Sequence, residues 1–173
     1  MKTSTFALVF GIAFLALGLM GLVPAMLVSP PIDVPPTSFT LFYGYLLGLF
    51  PVNLVASLVH LAVGAWGISA WSGRSSRVGF ARGVAILFGV LAVMGLVPVL
   101  NTTLGMIPLQ GNDVWLHGIT ALVAAYFGWR QPAEMSERRY EITDRRQSLR
   151  PVARERRLGL NDRREGFDGM SPA

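Results

Sequence analysis

The chain contains no cysteine, which excludes disulfides and thiolate metal sites. Charge is also scarce. Only 14% of the 173 residues are Asp, Glu, Lys or Arg, against about 25% in a soluble domain. No charged side chain occurs between Lys2 and Asp33, or anywhere across residues 39–70. Such runs bring nothing for water to solvate and point to lipid as the solvent. Histidine occurs twice, as His60 and His117. There is no strained serine elbow, no phosphate-binding glycine loop and no carboxylate pair. Without a nucleophile beside a base, hydrolytic chemistry has no equipment. No catalytic residue and no metal set is assigned, and the balance is against an enzyme.

What is present is apolar: 52% of the residues are hydrophobic and the mean hydropathy is +0.49. The length suits one compact domain. A spanning helix needs about 20 apolar residues, and four segments qualify: 6–27, 51–71, 80–99 and 114–129. The first competes with a cleaved signal peptide. Its n-region holds only Lys2, its apolar run is too long and no small-residue cleavage site follows. Residues 29–40, with four prolines, read as an extended loop. Residues 41–50 read as a short helical extension, in which Gly44 and Gly48 form a GxxxG. Pro51 then starts the second span. The fourth span is bracketed by Trp115 and Trp129, as interfacial indoles are.

The net charge of +5 does not imply nucleic acid, because its placement follows the spans. Four crossings put Lys2, the Arg74–Arg82 loop and the C-terminal arginines on one side, and that side takes all 15 basic residues. The positive-inside rule assigns it to the cytoplasm. The expected protein is a multi-pass component of the cell inner membrane with both termini cytoplasmic. Arg82 falls in the first turn of span three, where it can snorkel.

The chain repeats itself. Met20-Gly21-Leu22-Val23-Pro24 recurs as Met94-Gly95-Leu96-Val97-Pro98. The same offset pairs Phe6 with Phe80, Ala7 with Ala81 and Phe14 with Phe88. Pro51 aligns with Pro108 and His60 with His117. Two repeats of two spans preserve orientation, so a pseudo-twofold axis would run along the membrane normal.

His60 lies eleven residues before Trp71 and His117 twelve before Trp129. Both imidazoles therefore sit ~17 Å from the cytoplasmic face at 1.5 Å per residue. Ionisable groups inside a membrane are functional candidates. Facing each other in a four-helix bundle, they suit a small ligand, a quinone, a proton relay or haem. The simpler alternative is packing, with each ring hydrogen-bonded to Ser57, Asn53 or Thr120. Asn53, just after Pro51, reads as a helix cap. Asp113 reads as the N-cap of span four. The small residues Gly11, Gly18, Gly21, Gly83, Gly89, Gly95, Ala121, Ala124, Ala125 and Gly128 read as close-packing surfaces.

The pattern Phe50-Pro51-Val52-Asn53, His60-Leu61-Ala62-Val63-Gly64, then Asn112-Asp113 and Leu116-His117 resembles the bacterial family catalogued as domain of unknown function 4383. The resemblance covers about residues 6–129. It implies a small four-span membrane fold and supplies no activity, cofactor or catalytic residue. Members often carry a further His three residues after the Asn. That place is Ala56 here, so a site built on it would be incomplete.

Residues 131–173 form an Arg-rich tail, with ten Arg against eight acids. Its Glu-Arg-Arg and Asp-Arg-Arg triplets repeat at an offset of 18. With few apolar residues to bury, it is expected to be disordered and cytoplasmic, touching anionic lipid head groups. It lacks interleaved aromatics for nucleic acid. The expected whole is an all-α integral membrane four-helix bundle with a disordered tail. Its partners are the bilayer and either a second copy or another membrane protein. Two functions compete: a non-catalytic packing, assembly or small-ligand protein, and a haem-, quinone- or proton-handling module using His60 and His117.

Overall fold

In the computed structural model, residues 1–132 and Met135 are described. The tail, with its expected disorder and triplet repeat, lies outside the described residues. Residues Met1–Pro132 form one compact unit that is mostly helical. Its helices are α1 (Thr3–Met20), α2 (Leu54–Trp71), α3 (Arg77–Leu96) and α4 (Asn112–Ala125). The last continues as a π-helical turn, Tyr126–Arg130. By length and composition α1, α2 and α3 can each cross a membrane. Only 28% of the α1 window and 33% of the α2 and α3 windows are buried. The uncovered remainder includes Val9, Ile12, Leu58, Ile86, Val90 and Val93. So broad an apolar surface marks a protein whose surroundings are themselves apolar.

Helix ends follow local chemistry. The Ser76 hydroxyl accepts the Gly79 N–H at 3.0 Å and caps α3. Asn53 caps α2 through the Ala56 N–H at 2.9 Å. Helix α1 stops at Met20, short of the expected residue 27, because the chain turns through a 3-10 segment, Pro24–Met26, and enters a sheet.

That sheet corrects the all-helical expectation. Strands β1 (Leu27–Val28), β2 (Gly44–Leu46) and β3 (Phe50–Val52) form an antiparallel sheet in the order β1-β2-β3. Leu27 faces Leu46, and Gly44 faces Val52. The expected helical extension over residues 41–50 is therefore absent. Gly44 lies in a strand and Gly48 in a turn at φ +75°, so their GxxxG spacing makes no helix contact. Pro51 starts no helix. It sits in edge strand β3, where a missing N–H is tolerated.

Within the helices, α1 packs mainly on α2 and α3 on α4. The first pair meets backbone to backbone. A Cβ on Gly64 would lie 2.6 Å from the Leu15 nitrogen, and one on Gly67 would lie 2.7 Å from the Gly11 Cα. Between the pairs runs a phenylalanine core. Phe6 lies 6.0 Å from Phe80 and stacks on Phe127 at 4.7 Å, and Phe14 stacks on Phe88 at 4.8 Å.

Candidate functional site

The site is assembled on all four helices and roofed by the loops. Its roof is pinned by Asn53, which is fully buried. Besides capping α2, its Nδ2 donates to the Phe39 carbonyl at 3.1 Å and to the Met106 carbonyl at 2.7 Å. One amide thus ties the two loops that carry Phe39 and Met106 to the head of α2. The loops also join directly: the Ser38 N–H donates to the Gly105 carbonyl at 2.8 Å, and Gln110 Nε2 donates to the Tyr45 hydroxyl at 3.3 Å. In the same roof the buried Tyr43 hydroxyl is pushed above the usual phenol range, chiefly by desolvation.

Beneath the roof, His60 of α2 and His117 of α4 line the same two hollows. Both imidazoles lean on Phe88 of α3, at 6.4 Å for His60 and 5.0 Å for His117 between ring centroids. His60 also stacks on Phe14 of α1 at 5.8 Å. The hollow toward the roof, about 10 Å³ and bordered by Pro51, Ala56 and Asp113, has the room of about one water. The larger, about 270 Å³, lies between α1 and α4 and is walled by Phe10, Phe14, Leu17, Leu116 and Val123.

Asp113 departs from its expected role. Gly111 occupies the N-cap position of α4 and provides no side chain, while Asp113 sits in the first turn. Its Oδ2 lies 3.6 Å from His117 Nδ1, one turn further on. That separation allows charge pairing and exceeds a hydrogen bond. His117 is only 3% exposed, and its Nδ1 is buried with no hydrogen-bond partner.

The packing alternative needed hydrogen bonds from the rings to Ser57, Asn53 or Thr120. Asn53 is committed to the roof, and the Ser57 hydroxyl is itself unpartnered. No hydrogen bond joins either imidazole to these three. Among the described residues no cluster of three or more His, Asp or Glu is placed to hold a metal ion.

Three participants are not apparent from residue type alone. Phe14 and Phe88 wall the site; the repeat offset that pairs them was their only signal. Arg82 is the third. Its Nε donates to the Gly128 carbonyl at 2.9 Å, and its guanidinium lies 5.6 Å from the Trp129 ring. The π turn that follows α4 is thereby locked onto α3.

A family model described as Domain of unknown function (DUF4383) matches residues 4–130. No curated protein and no solved structure matches the chain.

Proposed function

The chain belongs to the family of domain of unknown function 4383, and from that premise we propose a four-span inner-membrane protein that binds a small ligand between His60 and His117. The observation that carries this reading is the convergence of the two imidazoles on one cavity, with His117 Nδ1 buried and without a hydrogen-bond partner. A buried polar group without a partner is costly, and a bound ligand removes that cost.

Four crossings, rather than three, are supported by the length of the last rod. Its 14 α residues and five π residues extend ~27 Å, close to the ~30 Å of a hydrocarbon core. A shared end for Lys2, Arg82 and Arg130 is supported by the bonds of the bundle. Gln131 donates to the Met1 carbonyl, Thr3 bonds to Gln131, and Arg82 reaches Gly128. Lys2, Arg82 and Arg130 therefore cluster at the end assigned to the cytoplasm. The twofold relation of the repeats is supported by equivalent residues meeting: Phe6 with Phe80, Phe14 with Phe88, and His60 with His117 at one cavity.

The test is purification from native membranes in mild detergent, followed by mass spectrometry of bound small molecules. The wild-type protein is expected to be colourless and to carry a ligand that the His60→Ala/His117→Ala protein lacks. Equal retention by the double variant overturns the reading.

A further inference from the structure

The shape of the cavity identifies the class of ligand, on the premise that the histidine pair is a binding site. We propose that it takes a lipid-soluble molecule of the quinone and hydroquinone class, with a flat oxygen-bearing ring and an apolar tail, entering sideways from the bilayer between α1 and α4.

Three observations converge. The first is the wall. Phe14 lies nearly parallel to both His60 and Phe88, with interplanar angles of 22° and 21°. Rings layered in this way favour a flat aromatic guest. The second is polarity. The polar side chains on the cavity are His60, His117 and Thr120, and no Lys, Arg, Asp or Glu lines it. An anionic head would have no counter-charge there, and a saturated chain would leave His117 Nδ1 unpaired. Ring oxygens meet both demands. Asp113 Oδ2 lies 3.6 Å from Nδ1 of His117, beyond hydrogen-bond range, so that nitrogen keeps its hydrogen-bonding capacity. The third is access. The volume of about 270 Å³ is just under the range of small-molecule pockets and holds a substituted ring without a long tail. Ile119, on the rim, is 62% exposed, and Ala13 opposite is also exposed. Helices α1 and α4 do not pack closely beside it, so the tail leaves through the side of the bundle, past Ala13 and Ile119.

The experiment measures binding of radiolabelled decylubiquinone to the full chain in lipid nanodiscs. Saturable binding is expected, competed by the reduced quinol. Decylbenzene, which has the tail but no ring oxygens, is expected to compete at least about tenfold less well, the worth of a lost buried hydrogen bond. A tailless benzoquinone is expected to be weaker again. His117→Ala should weaken binding about tenfold. Ala13→Trp, which keeps both histidines and fills the mouth, should do the same. Ile86→Ala, on the opposite flank of the bundle, should change nothing. Chain integrity is checked by far-UV dichroism, and Ala13→Trp decides the case should His117→Ala unfold. Equal competition by decylbenzene overturns the ring chemistry, and equal binding of the tailless ring overturns lateral entry. Should quinone fail to bind while another molecule co-purifies in a histidine-dependent way, this inference falls and the ligand-binding reading stands. Should both fail, both fall.

Discussion

Asn53 commits both donors of its side-chain amide and its oxygen to backbone: one bond accepted from Ala56 and two donated to Phe39 and Met106. Asn53→Asp keeps the cap and turns both donations into a carboxylate oxygen facing two carbonyls. The expected loss is about 2–4 kcal/mol, from two buried bonds and an unpaired acceptor, read as a lower unfolding midpoint in detergent. Asp113→Asn makes the complementary case. It preserves shape and removes the carboxyl group 3.6 Å from His117 Nδ1, so the fold should hold while ligand retention drops, read by mass spectrometry of the co-purified molecule. That both histidines share one level of the bundle was legible, because each follows a proline by nine residues and precedes a Trp near the end of its helix. Their neighbours were not. Helices that are apolar all round carry no stripe to fix their rotation, so nothing in the chain told which way Asp113 or Phe88 would face. Asp113 looked like a cap because it opens a helix; its place in the first turn turns its carboxylate to His117 instead.

Close packing separates the two helix pairs. In the first, a Cβ on Gly67 would press on the Gly11 backbone at 2.7 Å, where neither side can yield. Gly67→Ala should therefore force α1 and α2 apart, at about 1–3 kcal/mol. In the second pair, a Cβ on Gly118 meets nothing within 4 Å, so Gly118→Ala should leave thermal unfolding unchanged or raise it slightly through helix propensity. Measuring both in one detergent isolates packing from propensity. Small residues flagged the helices as close-packing, but not which glycines are essential. Gly64 and Gly67 carry the contact, while Gly89 has only the Ala121 Cβ at 3.8 Å. The roof sheet was illegible for a different reason. Its strands are two or three residues long and lie within or beside an apolar run, and apolar content alone does not distinguish a short buried strand from a helix. The turn between β2 and β3, with Leu47 at φ +53° and Gly48 at φ +75°, breaks any helix there.

For the whole molecule, the deciding question is whether α4 crosses. Three helices qualify as spans on length and composition alone; the fourth is interrupted by its π turn. If it crosses, Lys2, Arg74, Arg77, Arg82 and Arg130 share a compartment. If it does not, Arg130 and the Arg-rich tail sit across the membrane from Lys2, against the bias that orients bacterial spans. Fusions distinguish these cases directly. Alkaline phosphatase joined after Gly105, in the roof, should be active in the periplasm. The same enzyme joined after Ala173 should be inactive, while a fluorescent protein there should glow. Arg82 lends the arrangement a physical latch, since its bond to the Gly128 carbonyl and its contact with Trp129 hold the end of α4 level with the start of α3. A Cβ at Gly128 would lie 2.9 Å from the Arg82 Cγ and 3.1 Å from its nitrogen. Gly128→Val should therefore spring this latch, and the C-terminal phosphatase fusion of that variant should gain activity if the latch helps seat the last crossing. An inactive fusion in both proteins would leave four crossings standing and remove the latch from the account. A C-terminal phosphatase already active in the wild-type protein would put the tail in the periplasm and end the four-span reading.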